Sequence, residues 1–276
     1  MKILIAVPSK NRWRDNQIQR KTLAWLQYTK YDYAIFVEPQ DLQNYVNNIP
    51  QNMEIRHQTF VNIKENNKGM GYCKLMIQKY AQENKYDYIF KADDDIIGWR
   101  DPANRGLGHN APKRSKEYRC KEIFDPMIDK SLEMFKELGE YVGGVTLQYG
   151  NEMRDYDPEK PWIGINKRLQ CCYIVRTDLL CQRDVEHFSL FEDFMTFVHL
   201  IKSGYKTITY GLTGIEYDGI ANREGGFQDV ERIKGSLHTM IMAKKIYPDL
   251  IWKKVNKPWK FEPDFAKTKF IERIKI

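Results

Sequence analysis

Three consecutive aspartates, Asp93, Asp94 and Asp95, follow directly on the apolar run 86–92 (YDYIFKA). Like charges this close repel, and a cation removes that cost. Alternate carboxylates on an extended strand end can meet one hard divalent ion and leave room for diphosphate oxygens. Oxygen donors without a His/Cys constellation suit Mg2+ or Mn2+ and not zinc. The plainer alternative is an acidic turn capping a helix, but the apolar residues before the aspartates and Ile96-Ile97 after them argue against an ordinary surface turn.

A second acidic pair, Glu192-Asp193, lies between Phe191 and Phe194 at the start of a stretch with helical spacing. Two readings fit it. Carboxylates in a first helical turn complement the positive helix end, and a carboxylate so placed can also act as a general base toward an acceptor hydroxyl. His238 is a single histidine after the Gly225-Gly226-Phe227 turn; packing is the commoner role for such a residue, metal ligation the alternative. Gly69-Met70-Gly71 lacks the flanking residues of a P-loop or dinucleotide fingerprint. It suits close approach of backbone to a ligand or a neighbouring strand. No nucleophile-elbow, Cys/His or kinase motif is present. The five cysteines include an adjacent pair and no C-x-x-C, a poor basis for disulfides or zinc.

The elements that must position these residues alternate between strand and helix. The run 2–7 (KILIAV), ended by Pro8, reads as a buried strand, as do 33–37 and 86–92. Helical spacing marks 17–28, 41–46 and 69–80, the last with Leu75, Met76, Ile77 and Tyr80 as its apolar side. A weak strand is expected at 53–60. Downstream, 124–138, 191–203 and 235–246 read as helices, and 141–147, 171–175 and 207–210 as strands. This alternation predicts an α/β, Rossmann-like layered domain with a mainly parallel central sheet. Ligands of such sheets bind beyond the carboxyl ends of the strands. Pro8-Ser9-Lys10-Asn11-Arg12, Glu38-Pro39 and the three aspartates all fall at such ends, so three polar clusters are expected to converge on one edge.

With 42% hydrophobic residues in 276, the chain has ample material for a core and is not a disordered one. No run approaches the ~20 apolar residues needed to span a bilayer, and no secretory signal is visible. A soluble, cytoplasmic protein without membrane association is expected. The net charge of +7 is unevenly distributed: residues 1–30, 98–122 and 244–276 are each strongly basic, leaving the remainder acidic. That segregation suits a polyanionic partner such as nucleic acid, or a merely solvated surface. No linker or repeat divides the chain, which favours one catalytic domain, 1–243, with a basic extension, 244–276.

In their order along the chain, Val7-Pro8-Ser9-Lys10-Asn11-Arg12, Val37-Glu38-Pro39, Gly69-Met70-Gly71-Tyr72 and Lys91-Ala92-Asp93-Asp94-Asp95-Ile96 resemble the nucleotide-sugar glycosyltransferases of the A-type fold. The tighter resemblance, over roughly residues 1–240, is to the phage branch called TET-associated glycosyltransferases. It implies transfer of a sugar, glucose or arabinose among them, from a UDP-sugar to a hydroxymethylated pyrimidine such as hydroxymethylcytosine in DNA. It implies a cytoplasmic site of action in an infected host cell. By the same resemblance Asp93 and Asp95 contact Mn2+ or Mg2+ or the donor ribose, with His238 completing the metal shell. Pro8, Ser9, Arg12 and Glu38 line the nucleoside pocket, and Asp193, beside Glu192, supplies the base. Three other readings stay open on the residues alone. They are a same-fold transferase acting on a glycan or lipid, a metal-dependent nuclease, and an inert DNA-binding module.

Overall fold

The computed structural model describes residues 1–14, 17–48, 60–100, 113–139, 142–149, 162–165, 168–169, 171–181, 188, 192–217 and 229–249, with three short strands beyond. The first strand, β1 (Ile3–Ser9), is buried at every position. Its neighbours are β2 (Asp32–Val37), β3 (Phe60–Asn62) and β4 (Tyr88–Lys91), in the order β3-β2-β1-β4 and all parallel. The expected strand at 53–60 overlaps the described residues only at Phe60, and 51–59 lie outside them. β5 (Ile96–Arg100) comes directly after the aspartates and pairs antiparallel with β9 (Lys206–Tyr217). Beyond β4 the sheet continues through β8 (Tyr173–Arg176), β6 (Val142–Tyr149), β9 and β7 (Trp162–Ile165). β8 runs antiparallel to both β4 and β6, so β6 and its parallel partner β9 keep the direction of β1. The sheet is thus mainly parallel, with β5, β7 and β8 reversed. In the basic C-terminal segment, β10 (Trp252–Lys254) pairs with β11 (Phe261–Pro263), and β12 (Glu272–Lys275) adds to the sheet edge at β7.

The alternation within β1 sorts the core into two layers. Ile3, Ile5 and Val7 face one cluster with Trp25, Ile35, Phe90, Phe124 and Phe135. Leu4 and Ala6 face the other, with Phe36, Ile77, Ile89, Tyr173 and Phe197. The first layer holds α1 (Gln17–Arg20), α2 (Thr22–Leu26), α3 (Pro39–Asn47), α5 (Lys116–Arg119) and α6 (Asp125–Leu138), the last two joined by a π-helical turn, Cys120–Phe124. The second holds α4 (Met70–Glu83), α7 (Glu192–Lys202) and α8 (Asp229–Ile246). No helix among the described residues is long and apolar enough to cross a membrane.

Two departures from the sequence pattern matter for the site. The single helix expected over 17–28 is broken at Lys21 (φ −106°, ψ −98°). The break brings Thr22 and Trp25 to the aspartate turn: Thr22 Oγ1 donates to the carbonyl of Asp93 (3.2 Å), and Trp25 Nε1 to that of Ile96 (3.2 Å). In α4 the buried face is Cys73, Lys74, Ile77, Gln78 and Ala81, rotated from the expected apolar side; Leu75, Met76 and Tyr80 are half-buried. Polar partners turn it. Lys74 reaches α7, and Gln78 Oε1 accepts from the Cys181 N–H (3.0 Å).

Trp25 is fully buried, edge-on to Trp99 (centroids 5.1 Å) and Phe124 (4.8 Å). Trp25→Ala is expected to cost about 3–5 kcal/mol in urea denaturation. Trp25→Phe should cost less, since it retains ring contact and loses only part of the support at the Ile96 carbonyl.

Candidate active site

The parallel register of β2, β1 and β4 places their carboxyl ends side by side, and three polar groupings meet there. The first is built on Ser9. Its hydroxyl donates to Asp94 Oδ2 (2.7 Å) and shares a hydrogen bond with the Tyr45 hydroxyl of α3 (2.6 Å). The chain then turns through Asn11 (φ 59°), and the Arg12 N–H donates to the same Tyr45 oxygen (3.0 Å). The buried Arg12 guanidinium lies 3.5 Å from Asp94 Oδ1 and 3.9 Å from Asp95 Oδ2. Pro8 is buried within β1, opposite Phe36 of β2.

The second grouping surrounds the buried Glu38. Its carboxylate accepts from Lys10 Nζ (3.2 Å), the Asn67 N–H (3.0 Å) and Gln40 Nε2 (2.6 Å). Lys10 Nζ also donates to Asn67 Oδ1 (2.6 Å). Glu38 therefore anchors the loop 63–69, where Lys64, Asn67 and Gly69 all have positive φ. That loop delivers Gly69 to the start of α4, and the Gly71 N–H donates to the Phe188 carbonyl (3.0 Å), a close backbone approach.

The third grouping joins the aspartate turn to α7. Lys91, the last residue of β4, is almost fully buried; its Nζ lies 2.5 Å from Asp93 Oδ1 and 3.5 Å from Asp193 Oδ2. Lys74 of α4 is fully buried, with Nζ 2.7 Å from Asp193 Oδ1 and 3.8 Å from Glu192 Oε1. Both ammonium groups lie over the buried Tyr173 ring, at 5.3 Å for Lys74 and 5.9 Å for Lys91. An ammonium withdrawn from water needs an ionised partner, and here two cations meet the carboxylates of one helical turn.

These surroundings set the charge on each group. Burial would raise Asp193, but Lys74 and Lys91 outweigh it and hold the carboxyl below its usual range. Burial, then the adjacent Asp193, pushes Glu192 up to about 7 despite the same lysines. At neutrality the pair thus keeps Asp193 ionised and leaves the proton it retains on Glu192. Burial also raises Asp93, against Lys91, and Asp94, against Arg12 and Ser9; Asp95 is raised by burial and then by Asp94.

The structure thus brings Ser9, Arg12, Asp94 and Asp95 together, and Asp93 with Asp193 and Glu192 through the lysines. It does not bring His238 to them: that residue is exposed on α8. Among the described residues no group of three or more His, Cys, Asp or Glu side chains stands ready around one metal position. Asp94 is turned inward onto Ser9 and Arg12; Asp93, beside Lys91, and Asp95, near Arg12, are the alternate pair that would hold an ion. Their chemistry fits one, because half-buried, mutually repelling all-oxygen donors are what a hard divalent cation relieves. Sequence reasoning missed Lys74, Lys91 and Tyr173. Their signal was a lysine at helical spacing from Ile77, Gln78 and Ala81, and another at the end of an apolar strand.

A layered, mainly parallel α/β sheet with acidic and basic residues gathered past its strand ends is the plan of the A-type nucleotide-sugar glycosyltransferases. The sequence profile of the TET-associated glycosyltransferases matches residues 3–225, and the chain belongs to that family. It is a glycosyltransferase, and the nuclease and inert-module readings fall away. No curated protein gives a significant match. Among solved structures, the mannosyltransferase PcManGT from Pyrobaculum calidifontis, in complex with GDP-Man and Mn2+, is similar at 14% identity and a TM-score of 0.49, over 94% of this chain and 67% of that one. Glucosyl-3-phosphoglycerate synthase from Mycobacterium tuberculosis, with Mn2+, UDP and glucosyl-3-phosphoglycerate, is similar at 12% identity and a TM-score of 0.42, over 95% and 86%. At these values the likenesses say nothing of what this chain binds.

Two expectations follow from the charges. A raised carboxyl favours folding while protonated, so that the contribution of Asp93 and Asp95 is lost as pH rises through the carboxylate range. A bound cation opposes that loss. Mn2+ should therefore raise the melting temperature more at pH 7.5 than at pH 4.5, and Asp95→Asn should remove most of the gain. By the same sign rule, ionising Glu192 costs stability as pH rises toward and past 7. Glu192→Gln should gain stability relative to the native protein between pH 5 and pH 8 in urea titrations.

Proposed function

We propose that the enzyme moves a glucose- or arabinose-type sugar from a UDP-sugar to the hydroxymethyl group of a modified pyrimidine in DNA. The observation that carries this reading is the continuous path from Asp93 through Lys91 to Asp193, which sets a donor-side carboxylate against a base-side carboxylate. Asp93 and Asp95 would hold Mn2+ or Mg2+, which when bound neutralises charge on the departing diphosphate. Arg12 and Lys10 add positive charge at the same strand ends. Pro8, Ser9 and Glu38 shape the nucleoside side of the pocket. Glu38 does so by anchoring loop 63–69.

Asp193 takes the proton of the acceptor hydroxyl as its oxygen attacks the anomeric carbon. The bond from that carbon to the diphosphate oxygen breaks, and the nucleoside diphosphate leaves with the electron pair. A carboxylate held below its usual range is a weaker base, but one that is ionised throughout the neutral range. His238, exposed on α8, would complete the shell of the ion. The DNA acceptor is favoured by the family's association with TET proteins and by the basic segments 1–30, 98–122 and 244–276. A hydroxymethyl group at C5 projects into the major groove, where part of it is accessible without base flipping.

The test is nucleoside mass spectrometry of hydroxymethylcytosine DNA incubated with the protein, Mn2+ and a panel of UDP-sugars. An added pentose or hexose mass is expected. It should fall by about 10^3-fold or more in Asp95→Ala and about 10^2-fold or more in Asp193→Asn. Donor hydrolysis without transfer to hydroxymethylcytosine or hydroxymethyluracil DNA, but with transfer to a glycan, would overturn the acceptor assignment.

A further inference from the structure

Lys74 stands apart from the residues that face the strand ends. It rises from the inward face of α4, is fully buried, and directs its ammonium at the first turn of α7. Beside its 2.7 Å contact with Asp193, it lies 3.5 Å from Thr196 Oγ1, whose hydroxyl donates to the Glu192 carbonyl (2.9 Å). A single buried cation therefore touches three successive levels of one helical turn: Glu192, Asp193 and Thr196. Docking α4 against α7 does not require this. Apolar side chains of similar volume often hold two helices as well as a buried ion pair does, or better.

Four described elements bring charged or titratable groups to Asp193. Lys74 comes from α4, Lys91 from β4 and Tyr173 from β8, with Glu192 adjacent on α7 and Asp93 beyond Lys91. Lys91 is nearer to Asp93 than to Asp193, 2.5 Å against 3.5 Å, and so is shared. Among the described residues, Lys74 is the cation closest to Asp193.

We propose that Lys74 is a positioning residue of the transfer reaction, acting through Asp193: it fixes that carboxylate in place and supplies its counter-charge, while Lys91 serves the donor side. The assignment rests on the reading of Asp193 as the base. Lys74 itself touches neither donor nor acceptor, so its loss falls on the catalytic step and its pH dependence and not on donor binding.

The test has two arms. The first needs no substrate: protein labelled with 13C at aspartate carboxyl carbons is titrated, and the Asp193 signal is assigned by its absence from Asp193→Asn. In the native protein this signal should stay in its ionised position below the usual carboxylate range. In Lys74→Met it should titrate about one pH unit higher or more, and in Lys74→Arg close to the native position. The second arm measures transfer from the donor selected by the mass-spectrometric panel. For Lys74→Met, kcat at pH 7 should fall about 10- to 100-fold, with the acidic limb of the kcat profile displaced upward and the donor KM within about twofold. Circular dichroism checks folding; should Lys74→Met not fold, Lys74→Gln takes its place against Lys74→Arg.

An unmoved Asp193 titration in a folded Lys74 variant overturns the proposal. So does a raised donor KM with unchanged kcat, which would make Lys74 a donor contact. Full transfer activity in Asp193→Asn would instead overturn the base assignment while leaving the 13C result standing, so the two failures are distinguishable.

Discussion

Carboxylates gathered at one sheet edge are tolerable only if cations enter the interior with them, and Lys91 is the cation on which this edge depends. It ends β4, the strand that delivers the aspartates, and its Nζ lies between Asp93 and Asp193. Without it, two half-buried carboxylates would face each other across the junction between the parallel strands and α7. The cost of withdrawing an ammonium from water is offset because both partners stay ionised enough to hold it. That one contact links the sheet to the helix beside it: the aspartate turn and the first turn of α7 share a cation and cannot shift independently.

The surrounding architecture supports this junction from both layers. On one side, the break at Lys21 frees α2 to set Thr22 and Trp25 against the carbonyls of the aspartate turn. On the other, α4 reaches α7 through Lys74. Asp94 is spent internally on Ser9 and Arg12, tying the end of β1 to the end of β4. The middle aspartate thus fixes the turn, while Asp93 on one side of it meets Lys91 and Asp95 on the other lies near Arg12.

What could be read in the sequence follows from how burial writes itself into residue type. β1 was plain because both of its faces are covered, so every position is apolar or small up to Ser9. The convergence of Ser9, Glu38 and the aspartates followed from parallel order, since each ends a strand pointing the same way. β5 was missed because IIGWR follows the acidic turn without a gap, and its partner β9 lies more than a hundred residues on. The apolar spacing over 17–28 is continuous and reads as one helix; the break at Lys21 shows only in the contacts that α2 makes with the distant aspartate turn. Lys74 was invisible for a related reason. A lysine in an amphipathic helix reads as a solvent-facing residue until a carboxylate from α7 is placed beside it. His238 shows the converse, a residue type suited to ligation standing exposed on α8.

The buried aromatic group beside the turn has a consequence of its own. Trp25 donates to the Ile96 carbonyl, one residue past Asp95, and meets Trp99 edge-on at 84° with Phe124 packed against both rings. Two indoles so close and so oriented form a coupled chromophore in an asymmetric setting. The aspartate turn thus carries a built-in optical label, and movement of its backbone on ligand binding alters the hydrogen bond that polarises one of the pair. The near-ultraviolet dichroism of this pair, read as the difference between the native chain and Trp99→Phe because the chain holds six tryptophans, reports on the acidic turn without any attached dye.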